Sequence, residues 1–362
     1  MAQERGTTAP AATPAAGEST APATSTDILP PQHWTQLAED LDEDSDSTWG
    51  DSASSTASIN SSILHYRTLH GRTYHSDHVG NAQYWGTNDG QQQEALDIAH
   101  HFHTLLLDGK SHLAPLDKDK VQAVLDVGTG TGIWAIDFAD EFPNARVIGT
   151  DISPIQPGWV PPNLQFQIDD CTQEWTFAPD TFDYVHIRWL VGSIVDWTAL
   201  YKEAFRALKP GGYLEDAEPS PYLESDDGTV HDKSAMSQWG KFFVEGGKKI
   251  GRSFTIVEDG VQRKAMEEAG FVDIQEIDSR IALGGWPKNP KDKEIGRYSQ
   301  YALEQDIEGT VLFMANLLGW TKAEVGVYIA HLRRELRSGK FHAYYRQKTV
   351  IGRKPLQPSA AE

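Results

Sequence analysis

The chain has 362 residues, with 32 Lys or Arg against 52 Asp or Glu, so its formal net charge at pH 7 is −20. This acidic balance argues against direct nucleic-acid binding, because neutralising phosphates needs a basic face. The single cysteine, Cys171, excludes an internal disulfide. The sequence contains neither the apolar segment of a signal peptide nor an apolar run of about 18 residues that could span a membrane. We therefore expect an intracellular protein of the cytoplasm or nucleus.

Residues 1–60 are predicted to be a disordered tail. The first 26 residues are nearly all Ala, Thr, Pro, Ser and Gly, and an acidic, serine-rich run follows. Too little apolar surface is available there to offset the entropy lost on ordering. An alternative is that "ILPPQHWTQLAEDL" (28–41) forms an anchor for a partner.

Residues 61–118 are interpreted as an N-terminal helical cap. Within it, "NDGQQQEALDIAHHFHTLLLDG" carries apolar residues at helical spacing, at positions 96, 99, 102 and 106. Asn88 or Asp89 can cap the start of this helix, and Gly109 can end it.

Residues 119–355 show an alternation of strands and helices. Strands are predicted at 123–127, 145–150, 164–168 and 182–187, with helices after the first strand and around 196–208. "LKPGG" (208–212) is predicted to be a turn before a fifth strand, "YLEDAE", and further strands are predicted at 271–283 and 342–352. The alternation predicts an α/β fold with a parallel sheet and helices on both faces.

Three glycines lie in the turn after the first strand, in "VLDVGTGTGIWAIDFA" (124–139). Glycines at a strand-to-helix turn usually let a ligand approach bare backbone. A dinucleotide site needs a G-x-G-x-x-G spacing. Gly128, Gly130 and Gly132 are instead spaced G-x-G-x-G, which disfavours a NAD-dependent oxidoreductase.

Acidic residues lie at the carboxyl ends of three successive strands of this region. Asp126 lies just inside the end of the first strand, Asp151 ends the second, and Asp169 and Asp170 end the third. S-adenosylmethionine carries an ammonium, two ribose hydroxyls and an adenine amino group, which acidic side chains can bind. Asp151 alone does not discriminate, since NAD folds place an acid there too. Together with the glycines, these acids and the adjacent Ile152 predict an S-adenosylmethionine site.

Three longer segments resemble the fungal LaeA-like methyltransferases, which are class I enzymes that use S-adenosylmethionine and are named after a nuclear regulator of secondary metabolism. The segments are "LDVGTGTGIWAIDFADEFPNARVIGTDISPIQPGWVPPNLQFQIDDCTQEW", "FDYVHIRWLVGSIVDW" and "LKPGGYLEDAE". "GRTYH" (71–75), the pair Asn88 and Asp89, and "HAYY" are also similar, so the resemblance spans roughly residues 70–353.

The resemblance implies which residues line the cofactor site, namely Asp126, Gly128, Gly130, Gly132, Asp151 and Asp170. It further implies a Rossmann-like, mostly parallel seven-stranded sheet in the order 3-2-1-4-5-7-6, whose last strand is antiparallel. Residues 284–340 would then be a helical lid inserted before that strand. Tyr298, Tyr301, Phe313 and Trp320 of the lid suit a flat or apolar acceptor, although core packing is an equal alternative.

The resemblance implies a methyltransferase that acts in, or regulates, fungal secondary metabolism and transfers a methyl group to a small molecule or a peptide. An alternative is a LaeA-like nuclear regulator that acts mainly through protein partners. His186 and Glu218 lie near the expected site, but the sequence assigns neither as a catalytic base, and a base is needed only for a protonated acceptor. The histidines of "HSDHV" and "HHFH" lack the spacing of metal ligands, so no metal is expected. Trp134, Trp175 and Trp189 are predicted to lie near the site.

Overall fold

The computed structural model describes residues 27–39, 66–76 and 84–356. The helices are α1 (Pro31–Glu39), α2 (Gly90–Leu106), α3 (Ile133–Glu141), α4 (Trp197–Ala207), α5 (Ala235–Ile250), α6 (Val261–Ala269), α7 (Pro290–Gln305), α8 (Ile307–Leu317) and α9 (Lys322–Arg337). The strands are β1 (Arg67–Leu69), β2 (Arg72–Tyr74), β3 (Ala123–Val127), β4 (Arg146–Asp151), β5 (Leu164–Ile168), β6 (Phe182–Arg188), β7 (Leu208–Pro219), β8 (Val272–Ala282) and β9 (Tyr344–Arg353).

Seven of the strands form one sheet in the order β5-β4-β3-β6-β7-β9-β8. Strand β9 runs antiparallel to both of its neighbours, and the pairs from β5 to β7 are parallel. Numbered within this sheet alone, the order is 3-2-1-4-5-7-6. The class I methyltransferase fold predicted from the sequence is therefore confirmed.

Successive residues of the central strand β3 belong to different cores. Val124 lies in an apolar cluster with Phe138 of α3, and the next residue, Leu125, lies in a larger cluster with Leu200 of α4. Side chains alternate between the faces of a strand, so each face of the sheet is covered by its own helices. The glycine loop leaves this doubly buried strand at its carboxyl end.

The predicted strands agree with the structure to within two residues at their ends, apart from the segment 208–212. Those residues were expected to form a turn, but they are the first residues of β7. The pairing of β6 with β7 shifts register between Phe182 and Tyr184, where Gly211 has φ +85°. The Pro-Gly-Gly sequence thus forms an irregularity within the strand, because the chain stays paired on both sides of it.

The prediction of a disordered tail is wrong for residues 27–39. Helix α1 lies within them and packs on α9, and its Trp34 is only 1% exposed. The Trp34 ring meets the Tyr328 ring edge-on at 5.4 Å, and His331 Nε2 donates to the Trp34 carbonyl at 3.0 Å. These partners lie about 300 residues away in sequence, so the local sequence gives no sign of them.

The rest of the predicted tail, residues 1–26 and 40–60, lies outside the described residues. Part of the predicted N-terminal cap, residues 61–65 and 77–83, lies outside them as well. In its described part, the cap contains the hairpin of β1 and β2, which the sequence did not predict, and α2, capped as expected by Asp89.

Arg72 of the hairpin connects the cap to the lid. Its Nε donates to Asp89 Oδ2 at 2.6 Å, and its Nη1 donates to Asp306 Oδ1 at 2.7 Å. Asp89 caps the N-terminus of α2 and Asp306 caps that of α8. One guanidinium therefore fixes the starts of two helices, one in the cap and one in the lid.

The predicted lid consists of α7, α8 and α9, which lie between β8 and β9 in sequence. Helix α5, to which the sequence analysis assigned no element, packs against α8 and α9. No helix in the described ranges is long and apolar enough to cross a membrane.

Candidate functional site

The glycine loop follows β3 and carries three residues in the left-handed region of backbone space. Gly128, Gly130 and Gly132 have φ values of +70°, +60° and +81°. An added Cβ at Gly132 would lie 2.3 Å from the Phe166 ring, whereas one at Gly130 would meet only Leu96 Cδ1, at 3.7 Å. Gly132 is therefore required for packing, while Gly130 borders open space where a ligand can approach.

Asp126 and His186 face one another on the neighbouring strands β3 and β6, where they are register partners. His186 Nδ1 contacts Asp126 Oδ1 at 2.7 Å, and Thr129 Oγ1 donates to Asp126 Oδ2 at 2.6 Å. The His186 ring stacks on Trp134 with centroids 3.7 Å apart. Burial lowers the pKa of His186. A neutral imidazole that donates Nδ1–H to Asp126 satisfies this arrangement.

Asp151 at the end of β4 ties that strand to the glycine loop. Its Oδ2 accepts from the Gly130 amide at 2.8 Å, and its Oδ1 accepts from the Ser153 amide at 2.9 Å. Burial raises the pKa of Asp151 to about 6. A carboxylate has about four acceptor positions, so both oxygens retain capacity for ribose hydroxyls. Ile152 follows it and is half-buried.

Asp169 and Asp170 follow β5, next to Asp151 at the same edge of the sheet. Asp170 is 8% exposed, and its Oδ1 accepts from the Thr172 amide at 3.0 Å and the Thr172 hydroxyl at 2.7 Å. Asp169 is half-buried, and burial raises its pKa. Asp170 therefore stabilises its own turn in addition to any ligand contact.

A cleft lies between the glycine loop, the end of β6 and helix α2. Of the predicted site residues, Asp126, Gly128 and Gly130 line it, together with Trp134 and His186. The other predicted residues lie along the same sheet edge, outside the lining of this cleft: Gly132, Asp151, Ile152, Asp169 and Asp170.

Arg188, the last residue of β6, also lines this cleft and was not predicted from the sequence. Its Nη2 donates to His100 Nδ1 of α2 at 3.3 Å. The available signal was a basic residue at a strand end, two positions after His186, in "FDYVHIRWL".

A second, larger cavity of about 210 Å³ adjoins the cleft and shares Leu96, Ala99 and Trp189 with it. Its walls are mainly apolar and include eight aromatic residues from widely separated segments: Tyr84, Trp85, Phe102, Trp189, Trp239, Phe243, Phe254 and Tyr345. The lid contributes Ser299, Ala302, Leu303 and Thr310. The cavity is thus an apolar chamber beside the cleft, suited to a small molecule.

None of the four lid aromatics predicted to suit an acceptor lines this cavity. Tyr298 and Tyr301 are 36% and 56% exposed, Phe313 packs near Tyr74, and Trp320 packs against Phe242. The stated alternative, packing on the core, fits Phe313 and Trp320, whereas Tyr298 and Tyr301 are exposed. The lid lines the cavity with Ser299, Ala302, Leu303 and Thr310 instead.

Trp189 separates the cleft from the cavity. It is one of the described non-glycine residues with positive φ, at +61°, and its indole Nε1 donates to Gln347 Oε1 at 3.2 Å. Such backbone strain is often found at ligand sites. Of the other tryptophans predicted near the site, Trp134 lines the cleft, whereas Trp175 is buried and lines neither space.

Glu218 is buried with no exposed surface, and its oxygens accept from the amides of Leu190 and Val191, both at 2.8 Å. Burial raises the pKa of Glu218 well above its usual value. Its position stabilises the loop after β6, and it lines neither the cleft nor the cavity. Among the described residues, no group of three or more potential ligands is arranged to hold a metal ion.

A family model described as a methyltransferase domain matches residues 98–276. The chain is 36% identical to methyltransferase pytC of Aspergillus terreus over 87% of its own length and 96% of the relative. It is 34% identical to the secondary metabolism regulator LAE1 of Cochliobolus heterostrophus, covering 79% of this chain and 94% of that one. The chain belongs to the LaeA-like methyltransferase family. A third member, the probable methyltransferase tdiE of Emericella nidulans, is 33% identical over 79% of this chain and 90% of its own.

This LaeA-like protein is an S-adenosylmethionine-dependent methyltransferase, as the sequence predicted. The residues present fit the cofactor. Gly130 leaves space where a Cβ would otherwise project, and Asp126 offers an anionic group to an ammonium. The cleft and the cavity share Trp189, so the two spaces are adjacent.

Proposed function

We propose that this LaeA-like methyltransferase holds S-adenosylmethionine along the carboxyl edge of β3, β4 and β5. Asp126 lies in the cleft for the ammonium, Asp151 is available to the ribose hydroxyls, and Asp170 to the adenine amino group. The glycines admit the cofactor to the backbone. The cofactor supplies a methyl group on a sulfonium, and transfer needs mainly positioning and exclusion of water.

We further propose that the acceptor is a small, largely apolar molecule held in the aromatic cavity. One observation carries this proposal: the cavity adjoins the cleft at Trp189, and its walls are mainly apolar, with eight aromatic side chains. Aromatic walls favour flat or apolar ligands, and a few polar groups orient them. Gln92 supplies one such group, since its buried Oε1 has no partner within the described structure.

Filling the cavity tests this assignment. Ala302 lines the cavity from α7, and its neighbour Tyr301 points outward with 56% exposure. Ala302→Trp should abolish methyl transfer to a small molecule while cofactor affinity stays within about threefold of wild type, because the cleft is untouched. Tyr301→Trp, a large residue on the same helix, is the matched control and should stay active.

The assay incubates purified protein and isotope-labelled S-adenosylmethionine with a small-molecule extract of the producing fungus. Label should enter the small-molecule fraction with wild type and Tyr301→Trp, and not with Ala302→Trp. Label confined to protein, or unaffected by Ala302→Trp, would refute the small-molecule assignment.

A second function, regulation of fungal secondary metabolism through protein partners in the nucleus, is supported by the likeness to proteins named secondary metabolism regulators. Its test compares metabolites of a deletion strain complemented with wild type or with Gly130→Val. If Gly130→Val restores the profile fully although it binds no cofactor, the regulatory function is independent of methyl transfer. Localisation of a tagged chain distinguishes nucleus from cytoplasm.

A further inference from the structure

Arg188 is a cation with no ion-pair partner in the part of the chain that the structure describes. Its guanidinium lines the cleft at the end of β6, and no carboxylate among the described residues forms an ion pair with it. Asp126, on the neighbouring strand, is the nearest acid in charge effect, yet no hydrogen bond joins it to Arg188: its oxygens contact His186 and Thr129 and keep acceptor positions free for a ligand. A guanidinium withdrawn from water is costly unless it is paired. This arrangement favours an anion supplied by a ligand.

His100 is the single side-chain hydrogen-bond partner of Arg188 in the described structure, and the direction of this hydrogen bond is determined. Arg188 can only donate, so His100 Nδ1 must accept, and the proton of the imidazole then lies on Nε2. His100 Nε2 is 2.8 Å from Asp137 Oδ2 of α3, which accepts that proton's hydrogen bond. Burial, and then the charge of Arg188, lower the pKa of His100, consistent with a neutral ring. The hydrogen bonds from Arg188 to His100 and from His100 to Asp137 hold one edge of the guanidinium. The remaining guanidinium donors are left for a ligand in the cleft.

The cleft therefore carries opposite charges on adjacent strands, the Asp126 carboxylate on β3 and the Arg188 guanidinium on β6. An α-amino acid presents an ammonium and a carboxylate on one carbon, which is the complementary pair. The amino-acid end of S-adenosylmethionine has this chemistry, and the glycine loop lies beside it.

We propose that Arg188 binds the carboxylate of the cofactor's amino-acid end and is held in place for this by His100 and Asp137. The proposal rests on the proposed function, since it requires that the cleft accept S-adenosylmethionine. A charge-assisted hydrogen bond of this kind changes affinity by about 10- to 100-fold. A guanidinium suits a planar carboxylate better than an ammonium does.

The experiment is calorimetry of the full chain with two ligands, S-adenosylmethionine and its decarboxylated counterpart, which lacks only the carboxylate. Wild type should prefer the carboxylate-bearing ligand by about 10- to 100-fold. Arg188→Met should lose this preference because it weakens binding of S-adenosylmethionine while changing affinity for the decarboxylated ligand less than about threefold. Arg188→Lys should retain part of the preference.

Arg146→Met is the charge-matched control. Arg146 is exposed at the opposite end of β4, so its loss should leave both affinities unchanged. If Arg188→Met does not fold, the wild-type preference and the Arg188→Lys variant still decide the question.

The proposal is overturned if wild type binds both ligands equally, or if Arg188→Met or Arg188→Lys weakens both equally, which would indicate a general structural role. If wild type binds neither ligand, the proposed function itself fails. If wild type binds S-adenosylmethionine but the variants leave the preference intact, only the role of Arg188 fails.

Discussion

Helix α1 should contribute measurably to the stability of the domain, and Trp34→Ala tests this. The Trp34 side chain is 1% exposed and packs between Tyr328 and His331 of α9. Replacing a buried tryptophan by alanine typically costs about 3–5 kcal/mol, from lost apolar burial and the cavity left behind.

An upper limit follows from the way α1 is attached. Trp34 supplies its fully buried side chain, and the amide of Leu29 donates to Gln238 Oε1 at 2.9 Å. A destabilised α1 can detach from α9 while the rest of the domain stays folded. The free energy of unfolding of the domain therefore cannot fall by more than the free energy with which α1 docks. We therefore expect the free energy of unfolding to fall by about 3–5 kcal/mol if docking is stronger than that, and by the docking free energy otherwise.

The measurement is urea unfolding of the full chain, with limited proteolysis to report detachment of α1. Gln36→Ala is the matched control, since Gln36 is an exposed residue of the same helix and should change stability by less than about 0.5 kcal/mol. Deleting residues 1–26 should likewise have little effect, whereas deleting residues 1–39 should reproduce Trp34→Ala. If Trp34→Ala is as stable as Gln36→Ala and no more sensitive to protease, α1 does not dock as described.

Three further changes test the cofactor site and the junction between cap and lid. Gly130→Val should abolish binding of S-adenosylmethionine in calorimetry while circular dichroism stays native, because its side chain fills open space. Gly132→Val should instead unfold the chain, because its Cβ would lie 2.3 Å from an aromatic ring. A folded Gly130→Val with wild-type affinity would contradict the site. Since burial raises the pKa of Asp151 to about 6, its carboxylate gains a proton as the pH falls through that value, so cofactor affinity should decrease below about pH 6 and Asp151→Asn should bind weakly with a flatter pH profile. An unchanged pH profile in Asp151→Asn would exclude that residue as the cause. Arg72→Met should lower the free energy of unfolding, measured in urea, by about 3–5 kcal/mol, because it leaves the 1%-exposed Asp306 carboxylate without its cation. A decrease below about 1 kcal/mol would show that the Arg72–Asp306 ion pair contributes no more than a surface ion pair does.

The parts of the fold that the sequence predicted well depend on short-range patterns. Strand β3 and its glycine loop follow from five buried residues and three glycines within ten positions, and Asp126 and Asp151 lie where each strand ends. The carboxyl ends of parallel strands meet at one edge, so spacing along the chain places these acids together. Arg188 belongs to the same pattern, but its role depends on His100, which the sequence does not bring near it.

Helix α5 was missed for a different reason. Gly246 and Gly247 interrupt its pattern, and glycine lowers helix propensity by about 1 kcal/mol relative to alanine. In the structure, a Cβ at Gly246 would lie 2.8 Å from Met314 Sδ, and one at Gly247 would lie 2.5 Å from the Arg252 carbonyl oxygen. These glycines therefore permit close packing of α5 against α8 and the following loop, a reason that exists only in three dimensions.

The cleft follows from short-range sequence patterns, whereas the cavity depends on contacts that exist only in the folded structure. This difference changes which residues we expect to determine acceptor choice. The cofactor half is built from consecutive strand ends, whereas the cavity draws walls from α2, α5, the loop after β6 and the lid. Large aromatic residues in the lid looked suited to an acceptor, but Trp320 is needed to pack the lid on α5, while Ala302 faces the cavity. In the lid, it is therefore the small residues that set how much space an acceptor has. Because Trp239 and Phe243 of α5 form much of the opposite wall, exchanging residues 284–340 alone would change the depth of the cavity and leave its aromatic surface unchanged. We therefore expect acceptor choice to be a joint property of α2, α5 and the lid.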